Sequence, residues 1–129
     1  MVEVAVLAPL FITFLAALLI AMRIQHGGAV VSQAAADAAR RASIVRTAAQ
    51  ARTEATSSAL ATLHERGLHC APDVKLDLSG YARPTGQNAI VTAQVTCRVQ
   101  LADIALPGMP GARTVTKTHR SPIDPYRGR

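Results

Sequence analysis

Residues 4–22 carry no charged side chain, and Thr13 is the only polar one among them. Glu3 and Arg23 bracket the run. As a helix these residues rise about 28 Å, close to the ~30 Å of bilayer hydrocarbon. A buried helix of a soluble protein rarely runs so far without a polar face, so residues 1–26 read as a single transmembrane anchor. A cleaved signal peptide fits less well. It wants a basic start, a shorter apolar stretch and a small-x-small exit, whereas here Met1, Val2 and Glu3 lead in and Met22-Arg23 leads out.

Two features of the anchor bear on packing. Thr13, Ala17 and Ala21 recur every four residues and form a narrow strip on one face. Such strips let helices approach closely in lipid, although alanine is common throughout this chain and accounts for the strip equally well. Pro9, in the third turn, removes a backbone donor and is expected to kink or loosen the helix.

Beyond the anchor the period changes twice. Gly27-Gly28 reads as a hinge, and residues 29–66 as one long Ala-rich amphipathic helix. Its inner side gathers Val31, Ala38, Ala42, Val45, Ala49, Thr56, Leu60 and Leu63. Asp37 and Arg41 stand at i,i+4 in the favourable acid-first order. Arg66-Gly67, with Pro72 shortly after, marks the end. From Pro72 the pattern alternates. Val74, Leu76 and Leu78 form one apolar set, and Val91, Ala93, Val95, Cys97 and Val99 a second, separated by a turn-rich stretch. Residues 112–119 read as a third, Thr-rich strand at an edge. The expected architecture is α+β: anchor helix, Ala-rich helix, then a small three-stranded antiparallel sheet. Residues 67–120 form the β domain and 121–129 a tail.

The only cysteines are Cys70 and Cys97. Placed opposite each other in an antiparallel pair, they set a register joining Val74 to Ala93 and Leu76 to Val91. That register puts both apolar sets on one face and closes around the turn-rich stretch. Facing strands also bring the sulfurs within bonding reach. A disulfide would stabilise a domain this short of bulk by ~3 kcal/mol and implies an oxidising side of the membrane. The alternative is two separate buried thiols.

Trp is absent, and both Phe, Phe11 and Phe14, lie in the anchor. The head must therefore build its core from Ala, Val, Leu and Ile, which bury little area per residue. Formal net charge is +6. The arginines are scattered, without the basic stripe and stacking aromatics that nucleic-acid binding needs, so the charge reads as a soluble face near an anionic membrane surface. His69 beside Cys70 lacks the spacing of a zinc set. No nucleophile motif, phosphate loop or carboxylate pair is present, and neither catalysis nor a cofactor is expected.

Orientation pulls two ways. Arg23 alone would place the following residues in the cytoplasm, whereas the cysteines place them outside. Long domains translocate largely regardless of charge, so the cysteines are followed.

The opening Val2-Glu3-Val4-Ala5-Val6-Leu7-Ala8-Pro9-Leu10, with its apolar helix and the later Ala35-Ala36-Asp37-Ala38-Ala39-Arg40-Arg41-Ala42, resembles the TadE-like proteins. These are minor pilins or pseudopilins of the tight-adherence (Flp) type IV pilus system. The Leu106-to-Gly111 segment and Ser121-Pro122-Ile123-Asp124 look like actinobacterial members. The likeness covers about the first third of the chain, and the β part matches more loosely. It implies an architectural role in pilus assembly. The partners would be other pilin-type subunits and membrane platform proteins, met through the anchor, along with membrane lipid. Glu3 would correspond to the glutamate near the mature N-terminus of pilins, where a neighbouring subunit's ammonium group could pair with it. A glutamate snorkelling at the interface explains the same residue. In the family a basic leader, removed by a prepilin peptidase, precedes the Val-Glu pair. Here Met1 stands directly before it, and this is where the sequence departs from the pattern.

Overall fold

The computed structural model describes residues 1–126. The fold is α+β: a long apolar N-terminal helix, a second helix and a three-stranded antiparallel sheet. Helix α1 runs from Val2 to Ile44 and helix α2 from Ala48 to Glu65. Strand β1 (Asp73–Asp77) leads through a 3₁₀ turn (Ser79–Ala82) to β2 (Ala89–Gln100). A single helical turn, α3 (Leu101–Ile104), precedes β3 (Ala112–Ile123). The strand order is β1-β2-β3, so β3 lies on an edge as its sequence suggested.

The helices depart from expectation at the start and in the middle of the Ala-rich segment. Gly27-Gly28 is not a hinge, because α1 continues through it. Gly27 is buried, and a Cβ there would come within 3.2 Å of Ile104 Cγ2, so the glycine permits a close approach to α3. Residues 29–66 are not one helix either. The chain leaves helical geometry at Val45 (ψ 164°) and restarts with Thr47 as N-cap, its side chain accepting from the Gln50 amide at 3.2 Å. Ile44, Val45 and Thr47 are β-branched and disfavour helix, while threonine suits a cap. The turn makes α1 and α2 an antiparallel hairpin, and it resets the buried face. Ala51, Ala55, Ala59 and Leu63 point inward, while Ala49, Thr56 and Leu60 are exposed. At its far end α2 closes as expected. Gly67, at φ 72°, allows its amide to reach His64 O (3.0 Å) and the Leu68 amide to reach Leu63 O (2.9 Å).

The sheet keeps the predicted faces in a different register. Val74 pairs with Val95 and Leu76 with Ala93, a slip of two residues from the predicted pairing. A slip of two preserves side-chain direction, so Val91, Ala93, Val95, Cys97 and Val99 still face inward and are fully buried. In the observed register Pro72 falls opposite Cys97. Proline has no N–H for the ladder, and β1 starts one residue later, at Asp73. The tail also begins later than expected, since Ser121, Pro122 and Ile123 complete β3 against Val91, Ile90 and Ala89. An edge strand tolerates Pro122, and Ile123 is buried. The rest of the expected tail beyond Tyr126 lies outside the described residues.

The core lies between the helical hairpin and the inner face of the sheet. Ala34, Ala35, Ala38, Ala39 and Ala42 of α1 meet α2 and the sheet without any exposed surface beyond 1%. Polar side chains fasten α1 to β3: Ser32 bonds His119 at 3.0 Å, and Ser121 donates to Ser43 at 3.0 Å. The 3₁₀ turn fastens α1 at its end. Tyr81 reaches Ala42 O and, at 3.0 Å, Val45 O, satisfying carbonyls that a helix terminus leaves open.

Candidate functional site

The part of the molecule that most needs a partner is the first half of α1. Leu, Ala, Met and Phe sustain the helix, and Glu3 in its first turn complements the positive end of the dipole. An apolar window long enough to cross a membrane once lies in this half, and none of it is buried. The helix runs through Pro9 without interruption. Thr13 Oγ1 donates to Leu10 O at 2.8 Å, returning the only hydroxyl of the run to the backbone. Thr13, Ala17 and Ala21 share one side and are exposed, so no other part of the described chain covers the strip. Glu3 is exposed and has no ion-pair partner among the described residues.

Just past the apolar run, α1 meets the underside of the head. One face of the helix presents Leu19, Met22, Arg23, His26, Gly27 and Val30 in succession, the three-and-four spacing of a single side. Arg66, Gly67 and Leu68 from the end of α2, with Asp103 and Ile104 of α3, close the other wall of a groove of about 520 Å³. Gly67 is where α2 turns away, and α3 sits on Gly27, so these two features place Arg66 and Asp103 beside α1. Among the described residues Arg23, His26, Arg66 and Asp103 form no ion pair.

A second groove, about 550 Å³, runs between the two helices and is lined mainly by Asp37, Arg40, Arg41, Glu54, Ser58 and Glu65. Asp37 does not pair with Arg41 as its spacing suggested. Its carboxylate accepts instead from Thr62 Oγ1 (2.8 Å) and Gln33 Nε2 (3.2 Å), because the hairpin brings α2 alongside.

Cys70 and Cys97 are joined, with a Cα–Cα distance of 5.9 Å. The bond ties the lead-in to β1 to the buried face of β2 near its end, and is not a directly opposed strand pair. At the far end of β1, Asp77 Oδ1 accepts the Ser79 amide at 3.0 Å. That bond, with a further one from the Ser79 side chain, holds the Asp77 carboxyl below its ordinary 3.8.

These parts define a class: a rod-like helix, bare and apolar over its first half, continuous with a small disulfide-closed α+β head. No family model matches the chain, and no curated protein or solved structure matches it. The anchor strip and the cysteines were legible in the sequence, whereas the junction groove was not. Arg66 read only as a basic last turn, and nothing linear placed it against Arg23 and His26. Recognising Ile44-Val45-Arg46-Thr47 as a helix break would have folded α2 back and revealed it.

Proposed function

We propose that this chain is a non-catalytic assembly subunit of a tight-adherence (Flp) type IV pilus system, a TadE-like minor pilin or pseudopilin held in the cytoplasmic membrane by α1. The sequence likeness of the opening residues supplies the family. The observation that carries the reading is the unbroken course of α1 from a bare apolar half into the packed head. A stiff rod of this kind suits side-by-side assembly, in which neighbouring apolar helices cover one another along strips such as Thr13-Ala17-Ala21. Glu3, without an ion-pair partner among the described residues, is available to a neighbour's N-terminal ammonium group. The disulfide favours a head on the extracytoplasmic side.

Charge reversal at Glu3 tests the proposal. In the native host, Glu3→Lys should abolish piliation while the subunit remains in the membrane fraction at normal abundance. Normal pili from the inserted variant would count against a role for this carboxylate. A second reading, a tethered extracytoplasmic binding domain unrelated to pili, is favoured by the open charged groove between α1 and α2. Adjacent genes for a secretion ATPase, platform proteins and a small Flp-type pilin support the first reading, and their absence supports the second.

A further inference from the structure

We infer that the groove where α1 meets the head is a binding site for an anionic phospholipid, taking its phosphate headgroup between Arg23, His26 and Arg66 and the start of its acyl chains along Leu19 and Met22. The inference rests on α1 as a membrane anchor and is independent of the pilus role.

Depth is the first argument. The uncharged run ends at Met22. Arg23 therefore stands at the hydrocarbon boundary, and His26 lies about 4–5 Å further out at 1.5 Å per residue. The headgroup layer on each side of a bilayer spans roughly 5–8 Å. The basic residues of α1 thus lie at phosphate level, directly above a turn whose Leu19 and Met22 belong among acyl chains.

The second argument is the wall supplied by the head. A basic residue flanking an anchor is ordinary, and on a bare helix it would meet lipid phosphates without selecting among them. Here the head is pressed onto α1 at Gly27, close enough that even a methyl group would crowd Ile104. The end of α2 lines the same groove. Arg66 enters it from α2 and Arg23 and His26 from α1, while Leu68 and Ile104 add apolar lining. Three cationic or donor side chains surround a space of about 520 Å³, and none of them has an ion-pair partner among the described residues. Asp103 is the single acid in the lining. The balance favours a headgroup of net negative charge over a zwitterionic one, whose ammonium would bring positive charge back to the arginines.

A free phosphate would use the same cations and leave Leu19 and Met22 without a role, so the occupant is a lipid. Occupancy would brace the head against the bilayer surface, because one ligand would touch the anchor, α2 and α3 together.

The test uses the full chain reconstituted into nanodiscs containing equal phosphatidylglycerol and phosphatidylcholine, after alkaline carbonate extraction has verified insertion. The protein is then released in mild detergent and retained lipid is quantified by mass spectrometry. Phosphatidylglycerol should be retained over phosphatidylcholine. Arg66→Gln, a head substitution that leaves the anchor sequence intact, should lower that preference about fivefold, and Arg23→Gln/Arg66→Gln about 25-fold. Asp103→Asn should raise it, a change in the opposite direction that misfolding cannot mimic. Equal retention of the two lipids by inserted wild-type protein would overturn the inference, as would displacement of phosphatidylglycerol by millimolar inorganic phosphate. Failure of the wild type to insert at all would instead remove the anchor reading, and this site with it.

Discussion

The two halves of α1 invert the usual relation between side-chain size and burial. In the first half the bulky residues lie outside: Leu10, Phe11 and Phe14 each keep about 60% of their surface exposed. In the second half the small ones lie inside, with Ala34, Ala35, Ala38 and Ala42 wholly covered. One continuous helix therefore solves two different problems. The head half needs small side chains because α2 and the sheet approach closely, and a thin core of Ala and Val results. The bare half has large side chains, and no other described part of the chain buries them. Contiguous apolar surface on this scale needs an external apolar medium or partner.

The sharpest way to break this comparison is to weaken the head alone. Replacing both cysteines with alanine, or reducing the bond, should cost the head about 3 kcal/mol. Its melting temperature should then fall by roughly 10 °C or more, while the apolar half of α1 stays helical by circular dichroism. Joint loss of the two halves would mean that they are not energetically separate. A matched pair of substitutions sharpens the contrast at a smaller scale. Ala38→Leu overfills the helix–sheet interface and should destabilise the head by about 1–3 kcal/mol. Ala17→Leu adds the same atoms to a bare surface and should leave the head's melting curve unchanged. The smallest effect is acid-dependent and belongs to the head alone. The Asp77 carboxyl is lowered by its Ser79 bonds, so its contribution is complete above the unfolded value and fades as pH falls through the folded one. A carboxyl NMR titration should place its midpoint below 3.8, and Asp77→Asn should remove that part of the pH dependence.

Legibility in the sequence followed the strength of the periodic signal. The uncharged run needs no neighbour to be recognised. The strict alternation of residues 91–99 fixes which face is inward, and a slip of two, which preserves side-chain direction, left that face intact. Gly67 marks the end of α2 by local backbone demand. The rest depended on contacts between distant residues. Alanine fits inward and outward positions alike, so the helix pattern ran through Val45 without showing the break. Gly27 looked like freedom and proved to be a seat for Ile104. Pro72 displaced the strand pairing that the cysteines suggested, and Pro122 looked like an end although an edge strand accommodates it. Of the candidate site residues, Thr13, Ala17 and Ala21 lie on one exposed side of α1, and Cys70 and Cys97 are joined. Arg66 entered the junction only through the helical hairpin.

The passage of α1 through Gly27-Gly28 without interruption has a geometric corollary. Each residue of an α-helix turns about 100° and climbs 1.5 Å, so the compass bearing of the head is geared to the apolar half of α1 like a crank on its shaft. Deleting one residue between Met22 and Gly27 would swing the sheet by more than a quarter turn about the helix axis. Whatever holds the bare half in one orientation thereby fixes which aspect of the head it presents.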